Sequence, residues 1–284
     1  MDNKKIYKFL YIFFIYLFKK ILGINFLLNK HNNVAIEDYP EKSWYLIPFP
    51  LQKGVPFNSD NLATVNRYSF IHNSRFKNSI ITAEKRWKTN NEDSVRDISW
   101  RFHVALWSIS EALKNIKSEN EIFVECGTGR GYMAAGIIDY FKWDNDKPHF
   151  YLIDSFKSTM PNQDGSQTKD GNKLFVYADG DKEVREYFSN YSKINIITGF
   201  IPTVLVDLPQ DAKIKFLHLD LNSSVAEESA LNSLKSNFID GTIILFDDYG
   251  GPGGENQAKI HEEFAENNKK FLLALPTGQA LIVW

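Results

Sequence analysis

The stretch "EIFVECGTGRGYMAAGIIDYF", residues 121–141, decides the fold of this chain. An apolar run over 121–126 stops at three closely spaced glycines, Gly127, Gly129 and Gly131. A short apolar run that ends in glycine predicts a buried strand, and the glycines allow a tight turn and the close approach of a ligand. The residues after them predict a helix. The stretch is therefore a strand–turn–helix unit.

The same alternation continues to the end of the chain. Further strands are predicted over 149–156, 194–199, 214–221 and 241–249, with helices over 183–191, 226–238 and 256–268 and a closing pair of strands over 270–276 and 280–284. Strands that alternate with helices indicate an α/β fold, with a parallel sheet that is covered on both faces. Ligands bind such sheets beyond the carboxyl ends of the strands, so the site is expected there.

The first 30 residues differ from the rest in charge and hydropathy. They carry six lysines against one aspartate, and their unbroken apolar run, Phe9–Phe18, has ten residues. Ten helical residues cover roughly half of a ~30 Å hydrocarbon core, and no small-x-small cleavage site of a signal peptide follows. Four of the lysines share one arc of a helical wheel, which predicts a basic, apolar helix over 1–30. Either residues 1–28 lie on a membrane surface, or this helix packs on the protein or on a second copy.

Two further segments complete the predicted organisation. Residues 31–92 are mixed and turn-rich, and we assign them to a cap or lid. A helix is predicted from Asp93 onward, because apolar residues recur there at three- and four-residue spacing. The main domain is therefore assigned to residues 93–284, with the N-terminal helix as an extension.

Composition restricts the classes of function. The 284 residues carry a net charge of −2, so no general attraction to nucleic acid is expected. The one cysteine, Cys126, excludes an intrachain disulfide and fits a reducing compartment, so we expect a cytoplasmic protein, peripheral at the membrane if the N-terminal helix binds there. Because no histidine stands near it in sequence, Cys126 is interpreted as a small buried residue rather than a nucleophile.

Acidic residues at the first two strand ends indicate the cofactor. Glu125 precedes the glycines, and a carboxylate there repels a pyrophosphate but suits a cation, which favours S-adenosylmethionine (SAM) over a dinucleotide. Asp154 is placed to accept hydrogen bonds from both ribose hydroxyls, a role that NAD enzymes share. Phe156 lies either against the adenine or in the core. An ordinary tight turn is the alternative to a cofactor loop.

Three acids follow the fourth and fifth strands along the chain. Asp220 ends the fourth, and Asp247 and Asp248 end the fifth. Neighbouring tips of a parallel sheet lie close together, so these carboxylates are expected to repel one another, and Mg²⁺ would resolve this because it prefers oxygen ligands. The alternatives for Asp247 and Asp248 are a helix cap or an ion pair with a lysine. His218, two residues before Asp220, is interpreted as a satisfied core histidine.

Four blocks, in order, resemble one family of enzymes. Over roughly residues 120–284 the chain resembles the class I SAM-dependent methyltransferases, and more narrowly the macrocin O-methyltransferase family, which acts on sugar hydroxyls of macrolide antibiotics. The blocks are "FVECGTGRG" (123–131), "LIDSFKSTMP" (152–161), "GFIPTVLVDLP" (199–209) followed by "FLHLDLN" (216–222), and "GTIILFDDYGGPG" (241–253).

This resemblance implies a Rossmann-like, seven-stranded, mostly parallel sheet with a SAM site and an Mg²⁺ site. The implied cofactor residues are Glu125, Gly127, Thr128, Gly129, Gly131, Asp154, Ser155 and Phe156, and the implied metal ligands are Asp220, Asp247 and Asp248. The family typically shows Asp-x-Asp followed by Tyr-Glu-Ser after the fourth strand. Here "DLNSSVAEES" places Asn222 at the second acid and lacks the tyrosine, which weakens the implied metal site.

We therefore expect a SAM-dependent, divalent-metal-assisted O-methyltransferase that acts on a hydroxyl of a sugar or polyol-like substrate. Asp220 is the expected catalytic base. The expected partner is a small-molecule or glycan substrate and not a nucleic acid, and a homo-oligomer is compatible with the sequence. Two alternatives stay open, an NAD-linked sugar oxidoreductase and a non-catalytic SAM-binding scaffold at the membrane.

Overall fold

A computed structural model describes residues 57–59, 62–64, 68–87, 97–114, 116–157, 181–250 and 254–284. The predicted helix over residues 1–30 and part of the predicted cap lie outside these residues. The chain divides into two compact units. One, Met1–Phe57 with Thr64–Asn66, lies almost wholly outside the described residues, and the other comprises Asn58–Ala63 and Arg67–Trp284.

Nine strands and six α-helices occupy the described residues. The strands are β1 (Phe57–Ser59), β2 (Leu62–Thr64), β3 (Glu121–Cys126), β4 (Phe150–Asp154), β5 (Ile194–Thr198), β6 (Lys213–Leu219), β7 (Phe238–Phe246), β8 (Leu272–Ala274) and β9 (Ala280–Val283). The helices are α1 (Ser74–Trp87), α2 (Ser99–Leu113), α3 (Tyr132–Phe141), α4 (Lys182–Phe188), α5 (Ser224–Leu234) and α6 (Glu255–Asn267). Short 3₁₀ segments lie at Ser69–His72, Thr203–Asp207 and Lys235–Asn237.

Strands β3 to β9 form one sheet in the order β5-β4-β3-β6-β7-β9-β8, and β1 and β2 form a separate pair. Neighbouring strands from β5 to β7 run parallel, whereas β9 runs antiparallel to both β7 and β8. The prediction of a seven-stranded, mostly parallel sheet is confirmed. The carboxyl ends of β3, β4, β6 and β7 therefore meet at one edge of the sheet.

Helices cover both faces of this sheet, as predicted. On the front face, defined as the face under α1 to α4, Phe123 of β3 belongs to a hydrophobic cluster with Phe102 of α2 and Phe188 of α4. On the back face, under α5 and α6, Val124 of β3 packs with Leu231 of α5. Side chains alternate between the faces along a strand, so a residue's position in the strand fixes which cluster it joins.

Helix α1 joins this unit although its residues belong to the segment that we assigned to a cap. It packs against α3, with the Arg75 guanidinium 4.5 Å from the centre of the Tyr140 ring. The approach is close at Gly136 of α3, where an added Cβ would come within 2.8 Å of the Phe102 ring and 3.1 Å of Ala83. The sheet-bearing unit therefore begins before Asp93. No helix among the described residues is long and apolar enough to cross a membrane.

Candidate functional site

The glycine loop after β3 lies directly against the end of β6. Gly127 has a φ of +94°, and a Cβ added there would stand 1.8 Å from the backbone oxygen of Asp220. Gly129 and Gly131 also have positive φ values, 56° and 79°. Only glycine tolerates both the left-handed backbone and this close approach, so the sequence "GTGRG" produces the contact between the two strand ends.

Asp154, at the end of β4, is tied to the same loop. Its carboxylate accepts hydrogen bonds from the N–H groups of Gly129 and Phe156, both at 2.7 Å. Burial raises the pKa of Asp154, against the effect of these two donors. Each carboxylate oxygen has two lone pairs, so Asp154 can still accept hydrogen bonds from hydroxyl groups of a ligand.

The two residues after Asp154, Ser155 and Phe156, contact parts of the protein other than the glycine loop. Phe156 is 4% exposed and packs in the front-face cluster. Of the two predicted positions, against the adenine or in the core, it therefore occupies the second. Ser155 is partly buried, and its hydroxyl accepts a hydrogen bond from the N–H group of Lys157 at 3.4 Å. Neither contact supplies an exposed surface for an adenine ring.

Glu125 offers one free carboxylate oxygen at the end of β3. Its side chain is 2% exposed, and Oε1 lies 3.0 Å from Nδ1 of His218. Oε2 is buried and has no hydrogen-bond partner among the described residues, and the same is true of the Thr128 hydroxyl beside it in the glycine loop. A buried carboxylate oxygen without a donor is costly, so the position fits a cationic or hydrogen-bond-donating ligand.

Asp247, at the end of β7, is held on all sides. Its Oδ2 lies 2.7 Å from Nη1 of Arg101, and the Gln279 amide donates to Oδ1 at 2.9 Å. Arg101 also donates to the backbone carbonyl of Asp247. Although burial opposes ionisation, Arg101 and His218 hold the pKa of Asp247 well below its usual value. The predicted alternative of an ion pair thus applies to Asp247, with an arginine in place of a lysine.

Asp220 and Asp248 are less well compensated than Asp247, although Nη1 of Arg101 also lies 3.9 Å from Oδ1 of Asp248. Burial and the charge of Asp247 raise the pKa of Asp248 to about 7, and its buried Oδ2 accepts no hydrogen bond within the described part of the chain. Burial and the charges of Asp247 and Asp248 raise the pKa of Asp220 well above its usual value. Asn222, which stands where the family shows a second acid, instead donates its amide to Oδ1 of Asp220 at 3.3 Å.

The three acids therefore interact electrostatically, as the sequence predicts. Within the residues that the structure describes, however, no group of three or more His, Cys, Asp or Glu side chains is arranged as a metal site. Asp247 points to Arg101 and Gln279, whereas the unpartnered Oδ2 of Asp248 and the raised pKa of Asp220 fit a nearby cation. The donor chemistry, oxygen alone, suits Mg²⁺.

Cys126 and His218, which were predicted to lie in the core, are both buried. Cys126 is fully buried, and burial raises the pKa of its thiol, in keeping with its interpretation as a small buried residue. His218 is 1% exposed, but it is also a link between Glu125 and Asp247. Burial opposes its charge, yet the nearby carboxylates of Asp247 and Glu125 raise the pKa of His218 to about 10.

Arg101 and Gln279 were missed. Arg101 carries a weak signal, because it interrupts the apolar stripe of the helix that contains Phe102 and Ala105, and a buried arginine needs a buried acid. Gln279 lies in the turn before β9, and nothing in its sequence context marks it.

The fold is shared with known O-methyltransferases. No family model and no curated protein matches the sequence. The structure of the O-methyltransferase NovP is similar with a TM-score of 0.55 and 15% identity, over 73% of this chain and 97% of that one. CalS11, a calicheamicin methyltransferase, is similar with a TM-score of 0.54 and 13% identity, over 75% of this chain and 93% of that one. Apo CalS11, described as a TDP-rhamnose 3'-O-methyltransferase, gives a TM-score of 0.50 and 13% identity over 73% and 94%.

Proposed function

We propose that this protein is a SAM-dependent O-methyltransferase that acts on a hydroxyl of a sugar or polyol-like substrate with the help of a divalent cation. The observation that carries the proposal is the buried, unpartnered Oε2 of Glu125 beside a glycine loop of left-handed residues. A cationic amino group satisfies that oxygen, whereas a pyrophosphate would be repelled by it. The fold, which O-methyltransferases such as NovP also have, supports the same conclusion.

Three parts of the chain would hold SAM. Glu125 receives the ammonium group of the methionine part at Oε2. The backbone of Gly127 and Gly129 allows the ligand to approach closely, and Thr128 offers its buried hydroxyl. Asp154, one strand away, accepts hydrogen bonds from the ribose hydroxyls with its remaining lone pairs.

A divalent cation, Mg²⁺ by its preference for oxygen, would be held by Asp220 and Asp248. Asp247 would contribute its charge and its remaining lone pairs, since both of its oxygens already accept hydrogen bonds or ion-pair contacts. When bound, the cation would lower the pKa of a substrate hydroxyl and favour its alkoxide form.

The protein's own part in the reaction is to orient the hydroxyl and to remove its proton. SAM, when bound, supplies an electrophilic methyl group, so the products are a methyl ether and S-adenosylhomocysteine (SAH). Asp220 stands in contact with the glycine loop at the end of β6, between the cofactor residues and Asp248, and it takes the hydroxyl proton. Arg101, from α2, keeps Asp247 ionised and in place. Positioning of the two reactants provides most of the remaining rate enhancement.

Two observations support the proposed substrate class. A cation that prefers oxygen ligands is suited to bind neighbouring hydroxyls of a sugar. CalS11 acts on TDP-rhamnose, and this supports a sugar hydroxyl as the acceptor.

We also propose that the basic residues 1–28 hold the enzyme at an anionic membrane surface, near a lipid-linked or polymeric sugar. Deletion of these residues should release the protein from sedimenting anionic vesicles. Equal sedimentation of the full and shortened chains contradicts this part of the proposal.

Calorimetric titration with SAH and, separately, with NAD⁺ tests the cofactor assignment. SAH is expected to bind and NAD⁺ is not, and Glu125→Gln should weaken SAH binding about tenfold or more, because a hydrogen bond to a charged group is lost. Binding of NAD⁺ without binding of SAH would establish the oxidoreductase alternative instead.

A further inference from the structure

A row of polar side chains crosses the front face of the sheet within the candidate site. Along β3, β6 and β7, the positions of Glu125, His218 and Asp247 alternate with residues of the back-face cluster, such as Cys126, Leu219 and Phe246. All three therefore lie on the front face, on β3, on β6 and directly after β7. Glu125 and His218 are direct partners in the register of β3 and β6.

His218 contacts both of its neighbours in this row. Its Nδ1 lies 3.0 Å from Oε1 of Glu125, and its Nε2 lies 3.5 Å from Oδ1 of Asp247. The Glu125 and His218 side chains are each 2% exposed, so these contacts are shielded from bulk solvent. Nδ1 makes a hydrogen bond with Glu125, whereas Nε2 faces Asp247 without a hydrogen-bond partner among the described residues.

The far end of the row is fixed. Asp247 cannot turn toward or away from His218, because Arg101 holds its Oδ2 at 2.7 Å and Gln279 holds its Oδ1 at 2.9 Å. The imidazole therefore has a rigid reference point on β7. That reference point determines where its other nitrogen meets Glu125.

The consequence concerns the orientation of the Glu125 carboxylate. With Oε1 bound to His218, only Oε2 is left, and it is the oxygen with no partner in the described part of the chain. Without His218 the carboxylate could rotate, and either oxygen could turn into the glycine loop or away from it. A carboxylate that is already oriented binds a cation more tightly than one that has to be ordered by the ligand.

We propose that His218 is a positioning residue that orients Glu125 so that Oε2 receives the α-amino group of the SAM methionine. The proposal rests on the proposed function, because it presupposes a SAM site at Glu125. It assigns to His218 a role in ligand recognition that its burial alone does not require. The observable effect of that role is that the protein binds ligands with the amino group more tightly than ligands without it.

Two substitutions separate the two contacts of His218. The amide nitrogen of asparagine reaches about the position of Nδ1, and that of glutamine reaches about the position of Nε2. His218→Asn thus keeps the contact with Glu125, and His218→Gln keeps only the contact with Asp247. His149→Asn is the matched control, since His149 precedes β4 at the opposite edge of the sheet and contacts Lys193 and Asn195.

The measurement is calorimetric binding of two probes, SAH and the SAH analogue that lacks the α-amino group. Wild type, His218→Asn and His149→Asn are expected to prefer SAH by about tenfold or more, as for a hydrogen bond between charged groups. His218→Gln is expected to lose most of this preference while its affinity for the deaminated analogue stays at the wild-type value. If His218→Gln instead weakens the binding of both probes by the same factor, the preference for SAH is kept and the proposal is overturned.

Glu125→Gln provides a second measurement that does not depend on the stability of a single variant. It should abolish the preference for SAH, and adding His218→Gln to it should change the preference no further, because the two residues act through one contact. If His218→Gln keeps the full preference, or if it lowers the preference further in the Glu125→Gln background, the role of His218 is wrong. If wild type binds SAH and only this inference fails, the proposed function stands; if wild type binds no SAH, both fail.

Discussion

Arg101 and Asp247 form a buried ion pair that joins α2 to the carboxyl end of β7. Nη1 and Oδ2 are 2.7 Å apart, and each side chain is 10% exposed. The same guanidinium donates to the backbone carbonyls of Asp247 and Thr277. The helix that precedes the sheet thus fixes one of the acids of the candidate site, and it does so from a part of the chain outside the motifs that resemble the methyltransferases.

Arg101→Met should destabilise the protein strongly, because it leaves Asp247 buried without its main counter-charge. We expect a loss of about 3–5 kcal/mol in the free energy of unfolding, the usual cost of breaking a buried pair by removing one partner. Denaturant-induced unfolding measures this. The matched control is Lys114→Met at the end of the same helix, where the exposed pair with Glu111 is worth about 1 kcal/mol or less. Equal losses in the free energy of unfolding in the two variants would show that the buried Arg101–Asp247 pair stabilises the protein no more than an exposed pair does.

Gly127→Ala should disrupt the contact between the glycine loop and the end of β6. The added Cβ would stand 1.8 Å from the Asp220 carbonyl oxygen, at a backbone φ of +94°. Strain of the left-handed backbone alone costs about 1–2 kcal/mol, and the clash adds to it. We expect SAH binding to fall and the unfolding temperature to drop.

The control for this substitution is Gly250→Ala, just after the end of β7. There an added Cβ would first meet an atom at 3.5 Å, an ordinary contact. Little effect is therefore expected on stability or on SAH binding. Wild-type SAH affinity in Gly127→Ala would contradict the placement of the ligand against this loop.

Binding of SAH should weaken as the pH falls, through protonation of Asp154. Burial raises the pKa of this carboxyl, so it takes up a proton at a higher pH than an ordinary aspartate does. The protonated form has lost its charge and a lone pair for the ribose hydroxyls, so affinity is highest above the raised pKa and is lost below it.

Calorimetric titration with SAH between about pH 7 and pH 4, a range that spans ordinary and raised carboxyl pKa values, measures this loss of affinity. Asp154→Asn should bind SAH more weakly at neutral pH and lack this part of the pH dependence. Identical pH profiles for the two proteins would exclude the role of Asp154.

Much of the fold was predictable because buried parallel strands have a simple signature. The apolar run over 121–126 is a strand with every residue buried, and the predicted strand over 214–221 corresponds to Lys213–Leu219. The helix α1 was not predicted, since its residues lie in a stretch without clear periodicity. It is stabilised by packing against α3, for example at Gly136, and such tertiary contacts do not appear in local sequence.

The site was predictable in outline but not in its pairing. The rule for the ends of parallel strands correctly brings Glu125, Asp154 and Asp220 to one edge of the sheet. It could not show that Asp247 is paired with Arg101, 146 residues away in the sequence. Nor could it show that the side-chain amide of Asn222, at the position where the resembled family has a second acid, donates a hydrogen bond to Asp220. Long-range partners of this kind depend on the fold as a whole.

Asp248→Asn should weaken the binding of a divalent cation. The unpartnered Oδ2 of Asp248 and the raised pKa of this carboxyl, about 7, both fit a cation that is held there. Titration with Mn²⁺, followed by electron paramagnetic resonance, should show a loss in affinity of about tenfold or more, since even the partners of metal ligands contribute that much. Asp240→Asn, an exposed substitution on β7, the strand that precedes Asp248, should leave the affinity for Mn²⁺ unchanged. No detectable Mn²⁺ binding by the wild type would remove the cation from the proposal.

Transfer of a labelled methyl group from SAM to a panel of sugars and nucleotide sugars, with Mg²⁺ and with a chelator, tests the central claim most directly. Label should appear as a methyl ether on one sugar hydroxyl, and Asp220→Asn should reduce the rate about a hundredfold or more, as for the loss of a positioned base. Glu125→Gln should reduce the rate about tenfold or more at low SAM concentration, because it weakens SAM binding. Binding of SAM by the wild-type protein without transfer to any oxygen acceptor would contradict the enzyme assignment and favour a SAM-binding scaffold.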